Sequence, residues 1–199
     1  MPRTPRGRSC GWRADADVRR YGAAVTGSGG LPLLFLDVDG PLLPFGPATG
    51  PGGVHPTYPA GLFPPGSRAH PLLARIDPGL GPRLAALGCE LVWATTWTHE
   101  ANEIVAPRLG LPPLPAVLWP EPSAKDERDE RAGLHWKTRT LVGRAAGRAF
   151  AWVDDEIGAA DRRWVAAHHG GRALLLRVDP GRGLTDADFR QLDAWLRTV

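Results

Sequence analysis

Four short apolar runs, three of which break off on acids or hydroxyls, constrain this chain more than anything else in it. They occupy residues 31–37 (LPLLFLD), 89–97 (CELVWATTW), 149–155 (AFAWVDD) and 172–178 (RALLLRV). Apolar runs of this length, about four to eight residues, suit strands buried on both faces. Helical punctuation lies between them. Asp77-Pro78 predicts an N-cap and a first helical residue, with Gly88 closing that helix. Residues 98–108 read as a helix with Glu100 in its first turn and Gly110 just past its end. Residues 136–146 and 158–168 predict two more. Thr185 and Asp188 are spaced as a capping box opening a last helix, with Phe189, Leu192 and Leu196 on one face. The stretch PAVLW (115–119) predicts one further short strand.

Strands alternating with helices imply a parallel sheet with helices on both faces, a three-layer, Rossmann-like α/β domain. Such sheets place their sites at the carboxyl ends of the strands. Asp37 and Asp39, Thr95 and Thr96, and Asp154 and Asp155 should therefore converge on one crevice. Between Thr95 and Thr96, Thr95 is preferred because it directly follows Val92-Trp93-Ala94.

At 199 residues the chain fits one domain with a sizeable core. No apolar run approaches the roughly 18 residues needed to span a bilayer. The N-terminus has arginines without an apolar stretch behind them, so it does not read as a secretory signal. Cys10 and Cys89 are too few for a disulfide framework and lack metal-ligand spacing, which makes a reducing cytoplasm the expected setting. The net charge of +3 belongs to residues 1–30, where six arginines face two aspartates; the remainder is slightly acidic. That leader reads as a disordered tail or an over-extended start, with a nucleic-acid-binding arm as the alternative. The body, 31–199, is interrupted by residues 41–76, which hold nine of the 21 prolines and show no periodicity. This stretch is expected to form a small mobile flap without a buried stripe, not a large cap domain. The run AKDERDERAG (124–133) reads as a solvated loop or helix start.

Three acidic strand ends in one crevice resist joint ionisation, and a divalent cation removes the difficulty. Mg²⁺ takes oxygen ligands and typically uses one or two carboxylates plus substrate phosphate. Against 22 arginines the chain has only two lysines, Lys125 in the charged run and Lys137 ahead of the Asp154 strand. Lysine at 137 in so arginine-rich a chain suggests that a compact point charge is wanted there.

Asp37-Val38-Asp39-Gly40 after a strand, Thr95 at a strand end, Lys137, then Asp154-Asp155 after a strand: in this order the residues resemble the four-motif set of the haloacid dehalogenase (HAD) superfamily over 31–199. The wording is most similar to the HAD domains linked to RNA-repair proteins. The resemblance implies a Mg²⁺-dependent phosphatase, acting on a phosphorylated small molecule, a nucleotide or a nucleic-acid end. It implies Asp37 as the nucleophile and Asp39 as the acid and base. Thr95 would bind the phosphoryl oxygens and Lys137 would offset charge. It also implies Asp37, the backbone carbonyl of Asp39, Asp154 and Asp155 as the metal's holders. Pro41 departs from the threonine common in that position. The alternative is a catalytically silent HAD-like module that binds phosphate or a partner.

Other features take plainer readings. Asp37–Gly40 lacks the further ligands of a calcium loop, and TGSGG (26–30) reads as a linker. His168-His169 complements a helix end. His99 and Asn102 stand where they could touch substrate, or else in an ordinary first turn. Most tryptophans read as core, and Trp97, just past a strand end, is the exception.

Overall fold

A computed structural model describes residues 30–59 and 71–199. The predicted leader and the middle of the 41–76 stretch therefore lie outside the described residues. Four strands, β1 (Leu33–Leu36), β2 (Glu90–Trp93), β3 (Phe150–Asp154) and β4 (Ala173–Arg177), form one sheet in the order β2-β1-β3-β4. Every pairing is parallel, with Leu33 opposite Glu90 on one side and Phe150 on the other.

The period-2 alternation of strand side chains divides the core into two halves. Leu34, Leu36, Trp93, Ala151 and Val153 face one way, against α1 (Leu80–Ala85), the short pair α2 (Glu100–Ile104) and α3 (Ala106–Leu109), and α7 (Asp186–Leu196). Leu33, Phe35, Val92, Phe150 and Trp152 face the other way, against α5 (Thr138–Ala145) and α6 (Ala159–His168). Phe35, Trp93, Phe150 and Trp152 are fully buried, and each such side chain contributes about 2–3 kcal/mol by leaving water. A central strand buried on both faces explains why residues 33–36 are uninterrupted hydrophobics.

The expected helices at the C-terminal end appear as read, and the Thr185 capping box is formed with Asp188. The charged run becomes α4 (Ala124–Arg131), capped by Ser123 and Asp126 and with no buried residue. Three expectations are corrected. The stretch 115–119 is not a strand; only Ala116 bridges to Trp93, and prolines at 112, 113 and 115 lack the N–H groups a ladder needs. The helix over 98–108 is broken into α2 and α3 at Val105, because Pro107 has no N–H to continue the ladder. The first helix begins at Leu80, after a turn in which the Asp77 carboxylate accepts from the Gly79 amide at 2.8 Å.

The ends of the proline-rich stretch are anchored, against the expectation of no buried stripe. Leu42, Leu43, Leu73 and Ile76 are in the core, and residues Pro71–Arg75 form a 3-10 helix. Its first part is clasped to the loop after β4. Phe45 donates to the Pro180 carbonyl, Leu184 to that of Pro41, and the Thr49 hydroxyl to Asp179 at 2.7 Å. Gly181 permits this close approach, since a Cβ there would lie 2.3 Å from the Pro47 carbonyl oxygen. Hydrophobic residues at the two ends, separated by the punctuating prolines, leave no periodicity to read.

Among the described residues no helix is long and apolar enough to cross a membrane.

Candidate active site

The carboxyl ends of β1 and β3 are adjacent, so the residues that follow them meet. Asp37, Asp154 and Asp155 offer carboxylate oxygens that all lie within 4.8 Å of one another. All three are buried, Asp154 completely. Lys137 stands in the turn before α5 and is 3% exposed. Its Nζ donates to Asp37 Oδ2 at 2.6 Å and to Asp154 Oδ2 at 2.8 Å. The remaining oxygens are also held: Asp37 Oδ1 accepts from the Val38 amide and Asp154 Oδ1 from that of Glu156. Trp152 Nε1 adds a bond to Asp154 Oδ2 at 3.2 Å.

One ammonium among three buried carboxylates leaves an excess of negative charge. Burial pushes the Asp37 carboxyl up to about 7, against the pull of Lys137 and with the added push of Asp154. Burial and then Asp154 push Asp155 up to about 6. Burial alone would lower Lys137, but Asp37 and Asp154 outweigh it and hold its ammonium above the ordinary lysine value. An all-oxygen donor set with surplus negative charge fits a hard dication such as Mg²⁺. Gly40 shapes the same place. Its φ is +84°, and a Cβ there would lie 2.7 Å from the Asp155 carboxyl carbon, so only glycine lets the β1 loop lie against that acid.

Asp39 is not part of the three-acid group. Its Oδ2 accepts from Trp97 Nε1 at 2.8 Å, across 58 residues of chain. Thr95 is buried and Thr96 exposed. The Thr95 carbonyl accepts from Trp119 Nε1 at 2.9 Å. The Asn102 carboxamide accepts from Trp93 Nε1 and the Leu114 amide and donates to the Leu114 carbonyl. His99 is exposed. His168 stacks on Trp164 at the end of α6.

Two residues that order the site had no place in the sequence reading. Asp161, 1% exposed, accepts from the His135 amide and the Thr138 hydroxyl through Oδ1, and from the Gly158 amide through Oδ2. It thus ties the turn carrying Lys137 to the loop that follows Asp154 and Asp155. The spacing Gly158-x-x-Asp161 at a predicted helix start was the available signal. His135 accepts at Nδ1 from the Lys137 amide, at 3.1 Å. This leaves the proton of the neutral ring on Nε2, facing Glu156 at 3.0 Å. His135, Asp154 and Glu156 also lie within 4.8 Å of one another, but both nitrogens of the histidine are already engaged.

A three-layer α/β domain with an all-parallel sheet and an aspartate–lysine–aspartate cluster at its carboxyl edge defines the haloacid dehalogenase class. Enzymes of that superfamily are generally hydrolases and typically use Mg²⁺. Residues 33–189 match the family described as the HAD domain in Swiss Army Knife RNA repair proteins, and the chain belongs to that family. No curated protein and no solved structure matches the chain.

Proposed function

We propose that this protein is a Mg²⁺-dependent phosphohydrolase that works through a phosphorylated Asp37 and acts on nucleotides or phosphorylated nucleic-acid ends. The observation that carries the reading is the buried Lys137 bridge between Asp37 and Asp154. A buried charge cluster of this kind is costly to keep for structure alone, and it lies at the sheet edge where α/β sites form.

Asp37 attacks phosphorus, and the bond from phosphorus to the leaving oxygen breaks while one to the carboxylate forms. Asp39 gives the leaving oxygen its proton, then takes one from the water that attacks the phosphorylated aspartate. Inorganic phosphate leaves, Asp37 is again a free carboxylate, and Asp39 is again protonated, as each began. The Trp97 indole holds one oxygen of Asp39 and so fixes the direction from which that proton moves. Lys137 offsets charge on Asp37 and on the transferring group. The Thr95 hydroxyl is the assigned partner of the phosphoryl oxygens. Bound Mg²⁺, held by Asp37, Asp154, Asp155 and the Asp39 carbonyl, would supply electrostatic stabilisation of the phosphoryl oxygens. The RNA-repair description of the family supports a nucleic-acid or nucleotide substrate. The arginines of residues 1–30 are the part of the chain suited to hold a phosphate backbone.

The test is a phosphatase screen with Mg²⁺ over nucleotides, sugar phosphates and RNA with 3′- or 5′-phosphate ends. Asp37→Asn should abolish turnover. Asp39→Asn should trap one added phosphoryl group when given an activated aryl phosphate, seen by mass spectrometry after acid quench. A wild-type protein that hydrolyses nothing, yet binds a phosphorylated ligand, would establish the silent binding module instead.

A further inference from the structure

Among the described residues large apolar side chains are buried with few exceptions, and one of the exceptions stands beside the acid cluster. Trp136 is 43% exposed. It immediately precedes Lys137, and the Lys137 Nζ lies 5.5 Å from the centre of its ring. The ring is held in place. Trp119 meets it edge-on with centroids 4.7 Å apart, and Trp119 is itself fixed by its bond to the Thr95 carbonyl. His135 packs at 5.6 Å and 27°, anchored by the Lys137 amide. An exposed indole fixed by two neighbours is a preformed surface for a flat ring, because little conformational freedom remains to be lost.

The indole also forms one wall of a cavity of about 790 Å³, with Pro122, Leu134, Glu127, Glu130 and Glu156 among the others. His135 and Glu156, which also line the cavity, each bring a ligand atom within 4.8 Å of the Asp154 carboxylate, so the cavity lies close to the acid cluster. A group in this cavity would meet carboxylates on the α4 side and the indole at Trp136. The carboxylates repel a polynucleotide backbone, so a strand cannot continue through this cavity. They accept hydrogen bonds, and base amino groups donate them.

We propose that Trp136, backed by Trp119, is a stacking subsite for the base of the nucleotide that carries the scissile phosphate, with the rest of any strand leaving away from α4. The inference rests on the phosphohydrolase reading above and adds the group that recognises the substrate. It makes the protein selective for a phosphate attached to a base-bearing nucleotide over the same phosphate on a bare sugar.

The experiment measures binding apart from turnover. Full-length protein carrying Asp37→Asn is titrated with single-stranded RNA ending in a phosphate, whose terminal nucleotide either bears a base or is abasic. The base should tighten binding about tenfold, the usual worth of one stacked base. Adding Trp136→Ala should remove that advantage and leave the abasic affinity unchanged, while Trp136→Phe should keep most of it. A base advantage that survives Trp136→Ala, or equal weakening of both ligands, overturns the subsite. The latter result would mark Trp136 as a surface for another protein segment or as a structural support. In parallel, Trp136→Ala in otherwise wild-type protein should raise KM for adenosine 5′-monophosphate and not for ribose 5-phosphate. Turnover of both substrates with no such difference would sink the subsite and leave the phosphohydrolase standing. Absence of all turnover would sink the phosphohydrolase, while the binding titration still decides the subsite.

Discussion

Asp39 and Trp97 show how much depends on a single hydrogen bond at the residue scale. General acid–base catalysis contributes roughly 10²–10⁴-fold, so Asp39→Asn should slow hydrolysis of an alkyl phosphate by about that factor. With an activated aryl phosphate, whose leaving group needs no proton, its first step should be spared. Trp97→Phe keeps an aromatic side chain but loses the five-membered ring, and with it the donor to Asp39 Oδ2. The loss of one bond to a carboxylate, worth about 1.5–3 kcal/mol, should slow phosphorylation of Asp37 by an alkyl phosphate by about tenfold or more and leave its phosphorylation by an aryl phosphate, read in a single turnover, nearly intact. Equal losses in this first step on the two substrates would mean that Trp97 shapes the site in general and does not orient the proton donor.

At the scale of elements, helix placement depends on points of close approach. Gly81 in α1 touches the end of α3: a Cβ there would lie 1.6 Å from the Leu109 carbonyl oxygen. Gly81→Ala should force the two helices apart and destabilise by about 1–3 kcal/mol or more. Gly143, exposed in α5 with nothing within 4 Å of its would-be Cβ, makes the control; Gly143→Ala should stabilise by about 1 kcal/mol through helix propensity. Thermal melts of both variants check the pair. Asp161 works between elements, so its role separates into two measurements. Asp161→Asn should lower both melting temperature and turnover, but in a Lys137→Ala background it should lower only the melting temperature. Additive losses of turnover in the double variant would show that Asp161 does not act through Lys137. The strands and the order of acids along them could be read from residues 31–37 and 149–155 because a doubly buried strand writes its hydrophobicity without interruption. The stretch 115–119 misled because its apolar run looked the same, while Pro115 and the prolines at 112 and 113 before it lack the donors a ladder requires. Asp161 went unread because its bonds to residues 23 and 26 positions away leave no pattern in the chain, and only the local spacing Gly158-x-x-Asp161 marks it.

For the whole molecule, the acid cluster makes stability depend on pH in a direction opposite to that of ordinary salt-bridged carboxylates. Asp37 and Asp155 ionise in the fold only near 7 and 6, above their ordinary range. Between about pH 4 and 7 the folded protein therefore holds more protons at these groups than the unfolded chain, and stability from this source falls as pH rises. Metal-free protein should melt at a higher temperature near pH 5 than near pH 7, judged against a variant lacking Asp155. Mg²⁺ should raise the melting temperature more at pH 7.5 than at pH 5, because its carboxylate ligands must first lose their protons. A Mg²⁺ effect that is absent, or the same at both pH values, would remove the metal from the acid cluster.

The sheet order carries a consequence for the way the site comes into being. β1 lies in the middle, yet its neighbour β3 is more than a hundred residues further along the chain. Pairings between such distant segments are slow to form, because a long loop must close before any contact repays it. While the chain is being made, Asp37 emerges early and waits beside no partner until Lys137 and Asp154 have followed. The three groups come together only when the sheet closes, so a nascent chain holds scattered charges until one late, cooperative event assembles its chemistry.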